Sequence, residues 1–165
     1  KFIHVMAPHP RLFIIGAVHI AQALVSLAKI ANYDITIIDP RKHFATKKRF
    51  PNCKIINEWP DTALANFKLD KATHIVTLTH DPKIDDPALI TALKHDIGYI
   101  GSLGSKKTHH TRYERLLSLG FKEDELSRIH GPVGLNIKAK TPAEIAISIL
   151  AELTNYRRTK FDEQI

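Results

Sequence analysis

The stretch from Leu12 to Asp39 constrains the fold more than any other part of the chain. Leu12-Phe13-Ile14-Ile15 is a short continuous apolar run closed by Gly16, the pattern of a strand buried on both faces in a parallel sheet. From Val18 to Ala31, apolar residues at Ile20, Ala23, Leu24, Leu27, Ala28 and Ala31 recur at helical spacing, and the alanines permit close packing on a sheet. Asp34-Ile35-Thr36-Ile37-Ile38-Asp39 follows as a β-branched strand ended at Pro40. Strand, helix and strand within about thirty residues make a βαβ unit, in which the two strands run parallel.

The alternation continues along the chain. Lys54-Ile55-Ile56-Asn57 follows a basic loop, and Pro60-Asp61 opens a short helix ending near Phe67. A strand is predicted from His74 to Thr79, a helix from Pro87 to Lys94 and a strand from Ile97 to Gly101. Helices are then predicted from Thr111 to Leu119, stopped at Gly120, and from Glu123 to Ile129. Thr141-Pro142-Ala143-Glu144 starts a last helix running toward Arg158: Thr can cap, Pro fits the first turn and Glu completes a capping box. The expected fold class is α/β, Rossmann-like, with a mostly parallel sheet and helices on both faces. A chain of 165 residues fits one domain. Pro8 and Pro10 make residues 1–10 read as a strap or linker, leaving 11–165 as the Rossmann-like domain.

Hydrophobic residues are 44% of the chain and charged residues 25%, a globular rather than a disordered balance. No apolar run approaches the roughly 18 residues that cross a bilayer, and the first residues lack the order of a signal peptide, so a soluble, unexported protein is expected. The single cysteine, Cys53, rules out an internal disulfide and the paired spacing of a structural zinc site. A reducing, cytoplasmic setting follows as an expectation. Cys53 reads as a buried packing residue, with a sulfur carrier or thiol ligand as the other reading. The net charge of +7 attracts anions of every kind. Arg41-Lys42-His43 and Lys47-Lys48-Arg49, with Phe44 and Phe50 beside them, read as a solvated basic loop. A nucleic-acid partner is not expected, because no aromatic platform or recognition motif accompanies the charge.

In an open α/β sheet, ligands sit beyond the carboxyl ends of the strands where strand order reverses. Candidate binding residues therefore come from strand ends. A dinucleotide fingerprint uses one glycine for the turn, a second for the approach of pyrophosphate and a third small residue for helix packing. Gly16-Ala17-Val18-His19-Ile20-Ala21 keeps the first and third but carries Val18 at the second, which crowds phosphates over the helix start. Gly16 also reads simply as a tight turn. Asp39, 23 residues after Gly16, stands near the position of a ribose-binding carboxylate, or is a turn-forming Asp before Pro40. Arg41 contacts a phosphate or faces water.

Gly101-Ser102-Leu103-Gly104-Ser105, followed by Lys106-Lys107, joins flexible backbone, hydroxyls and cations at a strand end, suited to an anion held by backbone amides. Its spacing is not that of a Walker loop. His19, His80, Asp81 and His130 are candidates for polar contacts, since histidine can titrate near neutral pH. No nucleophile stands beside them, so catalytic residues stay unassigned, and adjacent His109-His110 read as solvent-facing. The binding set is thus Gly16, Ala17, Val18, His19, Asp39, Arg41, His80, Asp81, Gly101, Ser102, Gly104 and Ser105, with no metal ligand among them.

Taken together, PRLFIIGAVHIAQAL, ITIIDPRKHFAT, RFPN, LTHDPKIDDPAL, YIGSLGSKKTH and IHGPVGLNIKAKTPAEIAISILAEL resemble the C-terminal Rossmann domain of the XdhC/CoxI family, maturation factors for xanthine dehydrogenase and carbon monoxide dehydrogenase. The similarity covers nearly the whole chain from Pro10. It implies a cofactor-binding maturation factor more than a catalyst. Such a factor binds molybdenum cofactor (molybdopterin), works with a cysteine desulfurase in its sulfuration and delivers it to a molybdenum hydroxylase client. It leaves room for a homodimer. The family's G-A-G-H-V-A pattern is matched here by His19 but not at Val18. Family members often carry a separate N-terminal domain, whose functions do not transfer to these residues. The alternative is an NAD(P)-dependent oxidoreductase, favoured by the βαβ unit and Asp39 and opposed by Val18.

Overall fold

The computed structural model describes residues 9–163. Of the strap or linker expected at residues 1–10, residues 1–8 lie outside the described residues. Six strands form one sheet: β1 (Arg11–Ile15), β2 (Asp34–Ile38), β3 (Lys54–Ile56), β4 (Thr73–Thr77), β5 (Tyr99–Ser102) and β6 (Ile129–His130). Their order is β3-β2-β1-β4-β5-β6, and every neighbouring pair is parallel. β1 is central because its apolar run has two faces to bury. Leu12 and Ile14 join the core on one side of the sheet, and Phe13 and Ile15 the core on the other.

The helices divide accordingly. α1 (His19–Ile30) and α6 (Pro142–Asp162) cover the first face, with Ala21, Leu24 and Ala28 of α1 and Ala146, Ile149 and Leu153 of α6 fully buried. α2 (Pro60–Leu64), α3 (Pro82–Leu93), α4 (Lys106–Ser118) and α5 (Glu123–Leu126) cover the second. Each Leu or Ile taken out of water in this way contributes about 1.5–3 kcal/mol before the entropy of ordering is set against it. Strand order reverses between β1 and β4, so α1 and α3 leave the sheet to opposite faces at that point.

Several element boundaries differ from the sequence expectation, each for a local reason. α3 begins at Pro82 rather than Pro87, because the Asp81 carboxylate accepts the Lys83 N–H and Pro82 fits the first turn. Pro87 lies inside that helix. α4 begins at Lys106 rather than Thr111, because the Ser105 hydroxyl accepts the Thr108 N–H at 3.1 Å. The segment Lys106 to His110 is wholly polar, so it shows no helical periodicity in the sequence. α5 ends at Leu126, and Ile129, expected as the end of that helix, pairs with β5 together with His130 instead. A strand of two residues leaves no alternation to read.

A buried polar group lies between the sheet and α6. His74 of β4 sits between the rings of Tyr33 and Tyr99, 5.6 and 6.1 Å between centroids, is 3% exposed, and its Nδ1 has no hydrogen-bond partner. Burial, helped by the Arg157 charge, pushes its pKa down to about 4. His130 stacks on the same Tyr99 at 4.6 Å, on the core side of β6 and not at the strand-end crevice.

Candidate functional site

The crevice at the carboxyl ends of β1 and β4 is built on Gly16. Its φ of +107° is a conformation side chains rarely adopt, and a Cβ there would lie 2.5 Å from the Thr79 methyl and 3.3 Å from the Thr79 nitrogen. The turn therefore closes directly on the end of β4. Ala17 donates its N–H to Asp39 Oδ2 at 2.8 Å. Val18 is the N-cap residue of α1, makes no side-chain cap and packs partly buried against the core. His19, the first helical residue, is exposed beside it. The amides of the first α1 turn have no intrahelical acceptors and present partial positive charge to the crevice.

Asp39 is fully buried and accepts four hydrogen bonds from its own chain: from the Ala17 N–H, from the Arg41 N–H, and from Arg41 Nε and Nη2 at 2.9 and 2.8 Å. Burial alone would raise its pKa. The Arg41 guanidinium and the backbone donors outweigh burial and hold the carboxyl below its usual range. Arg41 in turn lies over the Phe44 ring at 4.5 Å.

The basic loop is more ordered than the solvated loop expected. Lys42, Lys47 and Lys48 are exposed, but Ala45 and Phe50 are buried. Arg49 donates Nη1 to the carbonyls of Ala17 at 2.6 Å and Phe44 at 2.7 Å, and Nη2 to Gln22 Oε1 at 3.0 Å. One arginine thus ties the loop to the glycine turn and to α1. Cys53, just before β3, is buried, and burial raises its thiol pKa.

After β4, Thr79 donates its hydroxyl to Asp85 Oδ1 at 2.6 Å, and His80 donates its N–H to Asp85 Oδ2 at 3.1 Å. His80 takes a left-handed φ of +63° and is exposed, while Asp81 is occupied as the α3 cap. Asp85 is 2% exposed, and burial raises its carboxyl despite these donors. Gly101 and Ser102 lie buried within β5, the Ser102 hydroxyl 2.6 Å from that of Thr77. They support the strand end and do not line its mouth. Gly104 and Ser105 reach the surface at the start of α4.

Next to that start, between α3 and α4, lies an open cavity of about 240 Å³. Lys107, Thr108, Thr111, Arg112 and Arg115 line it from α4, and His80 faces them. Of the residues expected from the sequence, the structure brings the glycine turn, Asp39 and Arg41 together at one edge and His80 with the α4 start at another. Arg49, Asp85 and Arg112 carry no sequence signal of their own. Positions 108, 111, 112 and 115 share one helical face, a pattern visible only once the helix is begun at Lys106. His110 is exposed as expected, but His109 is half-buried against Tyr113, 4.7 Å between centroids. Among the described residues, no group of three or more His, Cys, Asp or Glu side chains is placed to hold a metal ion.

The sequence pattern of the XdhC Rossmann domain matches residues 12–153. The chain belongs to that family. A solved structure described as a xanthine dehydrogenase from Bacillus halodurans superposes on this XdhC Rossmann domain with a TM-score of 0.80 and 34% identity, over 93% of this chain and 44% of that one. Its likeness bears out the α/β, Rossmann-like fold. The molybdenum cofactor insertion chaperone PaoD of Escherichia coli is 34% identical over 91% of this chain and 41% of its own. A probable xanthine dehydrogenase subunit of Bacillus subtilis is 32% identical over 95% of this chain and 46% of its own. The XdhC Rossmann domain described here spans less than half the length of these relatives. No helix of the described residues is long and apolar enough to cross a membrane.

Proposed function

We propose that this XdhC Rossmann domain is the ligand-holding unit of a maturation factor for a molybdenum hydroxylase, binding molybdenum cofactor or a related nucleotide-bearing ligand and handing it over. What carries the reading is the state of Asp39. The carboxylate that would hold a ribose hydroxyl in a dinucleotide site is fully buried and engaged by Arg41 and the Ala17 amide. Val18 adds bulk where pyrophosphate would pass. The NAD(P) alternative therefore lacks a free carboxylate at Asp39, whereas a relative aligned over 91% of the chain is named for inserting molybdenum cofactor.

In this reading Gly16, Ala17, Val18 and His19 form one wall of the site, Asp39 and Arg41 its edge, His80 and Asp81 the wall after β4, and Gly104 and Ser105 the far rim. Gly101 and Ser102 hold that rim from within the sheet. The residues suit a phosphorylated cargo: helix-start amides, exposed lysines, and a buried Arg112 whose Nε has no partner. The domain positions and releases this cargo, and its side chains meet the cargo's organic part. A cysteine desulfurase that sulfurates the cargo and a homodimeric assembly belong to the same proposal, and co-elution of the purified proteins tests both.

Protein purified anaerobically from cells that make the cofactor is expected to retain a pterin, read by fluorescence after oxidative release, together with molybdenum by elemental analysis. Titration with NAD(H) and NADP(H) is expected to give no submicromolar binding. Protein that carries no pterin and has no affinity for added cofactor, or that binds a nicotinamide tightly and transfers hydride, overturns the proposal.

A further inference from the structure

We propose that the cleft between α3 and α4 is a phosphate subsite, separate from the glycine turn, in which buried Arg112 is the counter-charge for a phosphate monoester. Arg112 stands in the second turn of α4 and is 2% exposed. Its Nη2 donates to the Leu103 carbonyl at 2.9 Å, Nη1 lies 3.4 Å from His109 Nδ1, and Nε has no partner. Among the described residues no carboxylate forms an ion pair with it. Asp85 and Asp86 act on its charge without touching it, so the guanidinium has carboxylates nearby but none bonded to it, and buried charges in folded proteins gain from a direct partner. Nε is closed off from solvent, and the same side chain lines the open cavity.

The other groups around the cavity favour an anion. Asp86 lies along its wall, but both its oxygens are engaged by Arg115 at 2.8 and 3.0 Å. Asp85 accepts from the Thr79 hydroxyl and amide and from the His80 amide. Burial raises the Asp85 pKa, while the Thr79 and His80 donors and the Arg112 charge act the other way. Lys107 stands exposed at the mouth, and Thr108 and Thr111 add hydroxyls. The helix start beside them, capped by Ser105, directs its dipole toward negative charge. Gly104, with φ +150°, lets the β5–α4 loop lie against this turn: a Cβ there would meet Thr108 Cβ at 3.0 Å and Arg112 Nη2 at 3.7 Å.

Size narrows the ligand. A cavity of about 240 Å³ is below the roughly 300–1,000 Å³ of pockets that enclose a whole drug-sized molecule. It is several times the roughly 30 Å³ share of one water. It has room for a phosphate and its ester linkage, and its lining of Lys107, Thr108, Thr111, Arg112 and Arg115 suits those better than an aromatic ring. Where the maturation reading holds, that group is the cargo's phosphate, and the remainder of the cargo lies toward His80 and the glycine turn. That assignment of source rests on the maturation reading, whereas the phosphate chemistry does not.

The test uses inorganic phosphate, glycerol 3-phosphate and glycerol at constant ionic strength, followed by calorimetry and by the Arg112 Nε–H resonance. Both phosphates are expected to bind and to shift that resonance, and glycerol to do neither. Arg112→Gln is expected to weaken phosphate binding at least tenfold, and Arg112→Lys to restore part of the loss. Lys107→Ala changes an exposed residue and leaves the core intact, so its expected severalfold loss of affinity reads the site even where the Arg112 variants fold poorly. No binding of either phosphate, or unchanged affinity in both Arg112→Gln and Lys107→Ala, overturns the inference. Phosphate binding by protein that retains no pterin and has no affinity for added cofactor would sink the maturation reading alone. Pterin retention with no response to phosphate would sink the subsite alone.

Discussion

Replacing Gly16 with alanine separates two costs that the turn imposes together. At φ +107° an alanine stores strain of roughly 1–3 kcal/mol. Its Cβ would also lie 2.5 Å from the Thr79 methyl, an overlap that overpacking data place at about 1–3 kcal/mol. Gly16→Ala is therefore expected to lose about 3 kcal/mol, or roughly 6–12 °C in Tm for a chain of this size. Thr79→Ser removes the clashing methyl and keeps the hydroxyl that donates to Asp85 at 2.6 Å, for a loss of about 1 kcal/mol. In the double variant the overlap disappears and only strain remains. The two losses should then fall short of additivity by about 1–2 kcal/mol. Urea unfolding of the four proteins, with m unchanged, measures this coupling. Additivity within about 0.5 kcal/mol would refute the claim that the turn closes on the Thr79 side chain.

His74 makes stability depend on pH in a stated direction. Its folded pKa of about 4 lies below the 6.5 of the free side chain, so below pH 6.5 the unfolded chain takes up a proton that the native state refuses. Its contribution is complete above that value and falls by about 3 kcal/mol as pH drops to 4. His74→Phe should flatten that part of the acid limb in urea midpoints taken between pH 7.5 and 4, and an unchanged slope would count against the burial argument. Arg49→Ala should free the basic loop from Ala17 and Phe44 and raise the rate of tryptic cleavage at Lys47 and Lys48 several-fold. Cleavage at the native rate would mean that the loop holds its place without Arg49.

The fold is legible where the sequence carries period and punctuation. Leu12 to Ile15, the alanine-bearing face of α1 and the β-branched run of β2 announce a βαβ unit, because burial on two faces leaves no room for polar residues. The same logic fails at polar helices and very short strands. Nothing apolar marks Lys106 to His110, so periodicity starts α4 late, at Thr111, and leaves Thr108 off the helical face that carries Arg112. Asp39 is visible from its spacing after Gly16, but its pairing with Arg41 is not, since a salt bridge between residues two apart depends on the turn at Pro40. Ser102 is legible as a hydroxyl near a strand end, but its direction into the sheet toward Thr77 is not.

Arg41 and Asp39 also set a thermodynamic condition on any anion that docks at their edge of the crevice. The arginine serves a buried carboxylate already, so an incoming phosphate or carboxylate competes for it. To the extent that the ligand draws Arg41 away, Asp39 is left desolvated without its countercharge, and a carboxylate in that state takes up a proton. Capture at this edge then carries a proton into the protein, and release sends it out. Affinity there should rise as pH falls.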